Sequence, residues 1–244
     1  MAGFDSSSGA GLTSDIKTFQ AHGLYGLSVC TAITVQNDVT LKSCVWIDEN
    51  IIINQIETLF ERFTISVVKI GIIESWERLL VVVKKLKSLN PTVKIILDPV
   101  LQASSGFNFK REENLKVLEQ ILETCYFITP NYNEIKALFP SKNIDETIIF
   151  IANKINLYLK GGHRDTCKGF DEVFYNISEK LSLEPLEKKV FEKHGSGCVL
   201  SSALASNIHK KLPIEVACKN AKLYVEQFLV SNTTLLGTHK IQTE

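Results

Sequence analysis

The chain has 244 residues, 45% of them hydrophobic, and a formal net charge of zero. A neutral chain lacks the basic excess that neutralises phosphates, so the composition argues against a general nucleic-acid binder. No run approaches the ~18 consecutive apolar residues that a membrane span requires, so we expect no membrane span. Residues 1–11 have neither a basic leader nor an apolar run, so we expect no secretion, and the six cysteines form no CxxC pair. We therefore expect a cytoplasmic protein with reduced thiols and a single domain over residues 1–244.

Short β-branched runs alternate with amphipathic helical stretches along most of the chain. In chain order, the pattern predicts a helix over 11–22, a strand over 27–35, a helix over 50–62, a strand over 66–73, a helix over 75–89, a strand over 93–97, a helix over 112–123, a strand over 126–129, helices over 131–139 and 145–154, a strand over 155–160, a polar hairpin over 172–191 and helices over 197–210 and 214–231. Most of the strands are apolar on successive residues, which is typical of a parallel sheet buried on both faces. The alternation predicts an α/β fold with a mostly parallel sheet, an antiparallel hairpin at one edge, and helices on both faces.

Nearly every polar or glycine-rich signal follows a predicted strand. These segments are residues 36–38, 98–100, 129–131, 160–163 and 194–198. In an open α/β sheet, ligands bind outside the carboxyl ends of the strands. The functional site is therefore expected where these segments meet.

The late segment contains Gly195 and Gly197 directly before a predicted helix. Two glycines there let backbone N–H groups converge on an anion at the positive end of the helix dipole. The same field would lower the pKa of Cys198 and make it a plausible base. The alternative is an ordinary loop with a small buried cysteine.

The small residues over 3–11 match neither a P-loop nor a G-x-G-x-x-G motif. The alternative to a functional loop here is a flexible N-terminal tail. Gln36 and Asp38 lie at the end of a predicted strand. A functional role and a plain turn that ends the strand are equally compatible with the sequence there.

Lys160 ends a strand and is followed by two glycines, so it could reach a nucleotide phosphate. Asp98, Asn131 and Glu134 offer oxygen ligands suited to Mg²⁺, although Asn131 and Glu134 also fit a helix-capping pair. His163 and His194 need no catalytic role, because loop histidines commonly bond to the backbone.

Read together, these segments resemble the hydroxymethylpyrimidine/phosphomethylpyrimidine kinases of thiamine biosynthesis, in the ribokinase superfamily. The resemblance lies in residues 2–21 (AGFDSSSGAGLTSDIKTFQA), 23–38 (GLYGLSVCTAITVQND), 69–73 (KIGII), 97–106 (LDPVLQASSG), 128–138 (ITPNYNEIKAL), 160–163 (KGGH) and 194–201 (HGSGCVLS). It implies a ribokinase-like three-layer α/β/α fold, ATP and Mg²⁺ as cofactors, and a homodimer.

The resemblance also implies roles for individual residues. Gln36 matches the residue that reads the aminopyrimidine edge, and Cys198 the one that deprotonates the substrate hydroxymethyl group. Lys160 matches a lysine on the ATP phosphates. The remaining matches are Gly3, Ala10, Thr34, Ile72 and Val100 in the pocket wall, Asp15 beside the substrate, Gly195, Ser196 and Gly197 in the anion hole, and Asp98, Asn131, Glu134 and Gly162 in the region of Mg²⁺ and nucleotide.

The chain departs from the family pattern at three serines and at its start. Ser6 and Ser8 are found where the family has proline and glycine, and Ser196 is found where the family has threonine. The family also has a full strand before Ala2. We expect either a start further upstream or a sheet without that strand, whose unpaired backbone groups would lower stability.

The predicted activity is ATP-dependent phosphorylation of 4-amino-5-hydroxymethyl-2-methylpyrimidine and then of its monophosphate. A pyridoxal or pyridoxine kinase of the same superfamily is the nearest alternative, because both substrates are flat rings with a hydroxymethyl arm. A catalytically silent pyrimidine-binding module is the alternative from another class.

Overall fold

The computed structural model describes residues 1–102, 109, 114–163, 166–186 and 189–242. Within them, the strands are β1 (Ala2–Phe4), β2 (Cys30–Gln36), β3 (Leu41–Trp46), β4 (Val67–Ile70), β5 (Lys94–Leu97), β6 (Phe127–Ile128), β7 (Asn156–Leu159), β8 (Asp171–Tyr175) and β9 (Glu179–Leu183). The helices are α1 (Gly11–Ala21), α2 (Glu49–Arg62), α3 (Trp76–Leu89), α4 (Leu115–Thr124), α5 (Tyr132–Leu138), α6 (Ile144–Ala152), α7 (Ser196–His209) and α8 (Ile214–Leu229), with a 3-10 turn over Gly161–His163.

The strands of the described residues form two sheets. The larger has the order β4-β5-β6-β7-β8-β9, parallel from β4 to β7 and antiparallel beyond it. The smaller has the order β1-β2-β3, with β1 parallel and β3 antiparallel to β2. Met1 joins them, because its amino group donates to Lys69 O at 2.7 Å and its carbonyl accepts from Gly71 N–H at 2.9 Å.

Alternating side chains of the larger sheet enter two separate cores. Ile95 and Leu97 of β5 pack in a core with α2 to α6, whereas Ile96 between them packs in the other with α7 and α8. This follows from the two-residue repeat of a strand. The result is the predicted three-layer α/β/α arrangement with helices on both faces of a mostly parallel sheet.

Local sequence explains several helix starts. Asp48 and Ser75 cap α2 and α3 through side-chain oxygens that accept backbone N–H bonds. Asn131 with Glu134, and Asn143 with Glu146, form complete capping boxes at α5 and α6. No helix among the described residues combines the length and apolar character needed to cross a bilayer.

Some predicted boundaries are wrong. The strand predicted over 27–35 begins only at Cys30, because the partner strand β1 begins at Ala2, opposite Cys30. The strand β3 was not predicted, and β4 is shorter than the predicted 66–73. The hairpin predicted over 172–191 is confirmed as β8 and β9 at the sheet edge, although residues 187 and 188 lie outside the described chain. Residues 112 and 113 of the helix predicted over 112–123 also lie outside it.

Candidate active site

One cavity of about 1000 Å³ lies at the carboxyl ends of the strands and contains nearly all the predicted site residues. Gln36 and Cys198 both line it, as the predicted site required. The other predicted residues in its wall are Gly3, Ala10, Thr34, Ile72, Asp98, Val100, Asn131, Glu134, Lys160, Gly162, Gly195, Ser196 and Gly197.

Gly195 sits at the N-terminus of α7 in the left-handed conformation, with φ 77°. A Cβ atom there would lie 2.1 Å from Gly9 O, so the loop around Gly9 leaves room only for glycine. No side chain of the described residues caps this helix. Its first backbone N–H groups therefore lie in the cavity wall without a side-chain cap, which is the arrangement that could bind an anion.

Lys160 lies beside this helix end. Its ammonium group is 2.8 Å from Asp98 Oδ1, 3.7 Å from Glu134 Oε2 and 3.4 Å from where a Cβ of Gly197 would be. Burial alone would lower the pKa of Lys160, but the charges of Asp98 and Glu134 outweigh it and raise the pKa. Lys160 is therefore a fixed cation next to the glycine turn.

Asp98 and Glu134 are the acidic groups of this region. Asp98 is fully buried and also accepts from Ser201 Oγ at 3.1 Å. Burial would raise the pKa of Asp98, yet Lys160 and Lys69 lower it overall. For Glu134, burial prevails and raises the pKa.

These carboxylates fit the donor chemistry of Mg²⁺. That cation is usually held by one or two carboxylates together with waters and substrate phosphates. The described residues contain no cluster of three or more ligating side chains, so Asp98 and Glu134 would hold Mg²⁺ only together with ATP.

Cys198 corrects one prediction. Burial raises the pKa of its thiol to about 11, and Asp15 and Asp98 act in the same direction. Lys69 and a backbone hydrogen bond from Gly11 act against this rise but do not cancel it. The decrease predicted from the helix dipole is therefore wrong, and the group is a thiol at neutral pH.

Asp15 is the predicted site residue that does not line the cavity. It is 2% exposed, and its carboxylate accepts from Lys69 Nζ at 2.8 Å and from Ser202 Oγ at 2.8 Å. Its predicted place beside the substrate is corrected to a buried ion pair between α1 and β4. The pair was invisible in sequence because its members are 54 residues apart.

Part of the cavity wall is formed by the smaller sheet. Gln36 ends β2, and Thr34 two residues earlier is anchored by its hydroxyl to Phe4 O at 2.8 Å. Gly3 packs directly on Ile72, since a Cβ there would lie 2.5 Å from Ile72 Cδ1. A flat ligand ring would meet an amide at this end and aliphatic walls around it.

The segment over 3–11 is ordered by hydrogen bonds, so the flexible-tail alternative is wrong. Asp5 accepts from Ser7 N–H and Ala10 N–H, each at 2.8 Å. Ser8, which replaces the family glycine, has φ 58°. Its side chain therefore imposes backbone strain in this loop.

A second buried charge cluster at the cavity wall was not predicted. Lys222 Nζ lies 3.0 Å from Asp171 Oδ2 and 3.1 Å from Glu226 Oε1, and Asp171 also accepts from Tyr158 OH at 2.9 Å. The sequence signal that could have indicated this cluster is Lys222, a lysine among the buried residues of α8 such as Cys218 and Val225. The sequence left open the roles of two histidines. His194 is buried beside the cavity, and the side chain of His163 lies outside the described part of the structure.

The three-layer fold, the open helix end and the adjacent lysine define a ribokinase-like phosphotransferase. The chain belongs to the phosphomethylpyrimidine kinase family, whose model matches residues 5–243. This confirms the resemblance found in the motifs.

Individual relatives agree with this assignment. The chain is 34% identical to the hydroxymethylpyrimidine/phosphomethylpyrimidine kinase of Aquifex aeolicus (strain VF5), over 97% of this chain and 95% of that protein. It is also similar to the crystal structure of phosphomethylpyrimidine kinase from Clostridium difficile 630, with a TM-score of 0.74, 32% identity and coverage of 92% and 95%. A pyridoxal kinase from Staphylococcus aureus in complex with ADP has a TM-score of 0.80 at 22% identity, covering 94% and 86%, a likeness of fold alone.

Proposed function

We propose that this protein transfers the γ-phosphoryl group of ATP to the hydroxymethyl oxygen of 4-amino-5-hydroxymethyl-2-methylpyrimidine, and then a second phosphoryl group to the monophosphate. The observation that carries the proposal is the shared cavity of Gln36 and Cys198, with Lys160 and the glycine turn beside the cysteine. The names of the relatives, which are hydroxymethylpyrimidine/phosphomethylpyrimidine kinases, support both steps.

In this proposal, Gln36 binds the aminopyrimidine edge, because a side-chain amide offers a donor and an acceptor in one plane. Thr34, Ile72 and Val100 confine the ring. The hydroxymethyl arm then points to the N-terminus of α7, where the thiolate form of Cys198 accepts the hydroxyl proton late in the transfer and becomes a thiol. Only the thiolate can accept a proton, and because burial raises the pKa of Cys198 to about 11, turnover should increase with pH as the ionised fraction grows.

The phosphoryl group is stabilised by fixed positive charge. The backbone N–H groups of Gly195, Ser196 and Gly197 face it, and Lys160 binds the ATP phosphates. Asn131, Glu134 and Gly162 line the nucleotide side. Phosphoryl transfer depends on positioning and on neutralisation of charge, which these groups supply. Mg²⁺, held with Asp98 and Glu134, would add neutralisation of the phosphate charge.

The pyridoxal kinase alternative is kept because the same fold supports it. Steady-state kinetics with the two substrates separate the proposals, and we expect a higher kcat/KM for the hydroxymethylpyrimidine. A large preference for pyridoxal would overturn the proposal. ADP release with the pyrimidine distinguishes an enzyme from a silent module, which would bind tightly without turnover.

We further propose a homodimer in the cytoplasm. Phe4, Ile33 and Val45 are register neighbours across β1, β2 and β3, and they are 39%, 48% and 59% exposed. This apolar row suits contact with a second copy. The six free cysteines suit a reducing compartment. Sedimentation of the wild type and of Ile33→Asp tests the dimer, and a monomeric wild type would contradict it.

A further inference from the structure

Asp5 and His194 join two loops that are far apart in sequence. His194 Nε2 lies 2.9 Å from Asp5 Oδ2, and both residues are more than nine-tenths buried. Asp5 also receives the Ser7 and Ala10 N–H groups, so its carboxylate organises the loop over 5–10. His194 immediately precedes Gly195, the first residue of the anion-binding turn.

The ring of His194 depends on this bond for its orientation. Its Nδ1 atom is buried without a partner among the described residues. The ring packs against Gly9, where a Cβ atom would lie 2.6 Å from Cδ2. The imidazole is therefore wedged between the two loops, and its single polar contact crosses from one to the other.

The two loops meet beside Cys198. Ala10 lines the cavity, and the neighbouring Gly11 makes a backbone hydrogen bond that acts on the Cys198 thiol. Gly195 packs on Gly9 so closely that no side chain fits between them. Cys198 lies in the same helix turn as the N–H groups that face the phosphoryl group, so a shift of the loop over 5–10 would move the cavity wall at Ala10 and Gly11 relative to both.

We propose that Asp5 and His194 are a positioning pair, which fixes the loop over 5–10 against the anion-binding turn. This rests on the proposed kinase function. Asp5 does not line the cavity, and His194 lies in its wall with its ring against Gly9. In this proposal the pair acts through the loop over 5–10 and the backbone of Gly195 and not by contact with the reacting atoms. Loss of the pair should misalign the transfer while leaving the binding of both substrates nearly intact.

The test compares His194→Leu, His194→Gln and Asp5→Asn in the full-length protein. Leucine removes the bond, whereas glutamine can present an amide donor near the position of Nε2. We expect His194→Leu and Asp5→Asn to lower kcat about 10- to 100-fold, with the dissociation constants of ATP and pyrimidine changed less than about threefold. His194→Gln should recover most of kcat.

Partition of ATP gives a readout that a merely structural role would not move. A misaligned hydroxyl competes poorly with water, so the ratio of phosphate released to pyrimidine phosphorylated should rise in His194→Leu. The matched control is His22→Leu, which removes another buried histidine that bonds to Thr18 O, outside the cavity wall. It should lose stability without a change in kcat or in this ratio.

The double variant Asp5→Asn/His194→Leu should be no slower than the slower single variant, because the two residues act as one unit. The proposal is overturned if His194→Leu keeps kcat, or if the two single losses multiply. Asp5→Asn, which is nearly isosteric, decides the matter if His194→Leu does not fold. A wild type without pyrimidine turnover would contradict the proposed function instead, so the two failures are distinguishable.

Discussion

The ammonium group of Lys160 lies 2.8 Å from a carboxylate oxygen of Asp98, and only 12% and 1% of these side chains are exposed. Removal of one partner strands the other charge in the interior. We therefore expect Lys160→Met to lower the unfolding free energy by about 3 kcal/mol and turnover by at least about 100-fold. Urea unfolding and an ADP-release assay measure the two effects.

The double variant Lys160→Met/Asp98→Asn separates these effects. It removes both charges, so much of the stability should return while activity stays low. If the double variant recovered activity together with stability, Lys160 would have no direct part in the transfer.

Cys198→Ala should reduce turnover about 10²- to 10⁴-fold with pyrimidine affinity nearly unchanged, because the thiolate of Cys198 acts as a proton acceptor and not as a binding group. Single-turnover kinetics and equilibrium binding measure the two quantities. Full activity in the variant would remove Cys198 from the mechanism.

The thiol of Cys198 should titrate in the alkaline range. Its pKa is raised to about 11, so the thiolate fraction grows as pH increases towards that value. The rate of iodoacetamide labelling at this residue, followed by peptide mass spectrometry in the free protein, should rise accordingly. A midpoint below pH 8 would contradict the dominance of burial.

Gln36→Ala should weaken pyrimidine binding about 10- to 100-fold and leave the KM for ATP unchanged, since two polar contacts to the ring are lost. Gln55→Ala is the matched control. Gln55 accepts from Cys30 N–H at 3.0 Å outside the cavity wall, so its loss should affect stability but not affinity. Equal affinities in wild type and Gln36→Ala would place the ring elsewhere.

Gly195→Ala should damage both stability and turnover, because its Cβ would collide with Gly9 O. Gly23 is the control: it has a similar φ of 73°, but a Cβ there would meet nothing within 4 Å. Gly23→Ala should therefore cost only the conformational penalty of about 1 kcal/mol and keep its turnover. Equal effects in the two variants would show that the close approach to Gly9 has no importance.

His239 should make stability depend on pH. Burial, with the nearby charges of Lys17 and His22, lowers its pKa from 6.5 to about 4. Between these values the unfolded chain binds a proton that the folded chain does not. The unfolding free energy should therefore rise from pH 4 to 6.5, with a slope from this group of at most about 1.4 kcal/mol per pH unit.

Urea unfolding at several pH values tests this dependence. His239→Phe keeps an aromatic ring against Phe228 but cannot titrate, so its slope should be smaller than that of the wild type. Equal slopes would show that His239 does not contribute.

The sequence predicts the layers of the fold well because burial on both faces of a strand leaves a local signature. It predicts strand limits less well, since a strand exists only where a partner lies beside it. Residues 27–29 have the composition of a strand, but β2 begins at Cys30, where β1 supplies a neighbour. The sequence pattern does not predict strand β3, because the polar residues Lys42 and Ser43 interrupt its apolar residues.

Most of the predicted site residues share one cavity because they follow the carboxyl ends of parallel strands. The exceptions are long-range electrostatic features. Asp15 pairs with Lys69, and Lys222 with Asp171, across separations of more than 50 residues. The pKa of Cys198 depends on how completely the fold encloses it, a property that a helix position alone does not contain.

The residues that line the cavity come from both sheets. Gln36 and Thr34, which face the proposed ring, belong to the three-stranded sheet, whereas Lys160 and Asp98 follow strands of the six-stranded one. Ile72 and Val100, which also line the cavity, follow strands of the six-stranded sheet. We expect substitutions at Gln36 and Thr34 to change which heterocycle is accepted more than they change phosphoryl transfer. A laboratory search for new heterocycle specificities should therefore begin with the positions of β2 and β3 that line the cavity, which are Thr34, Gln36 and Leu41.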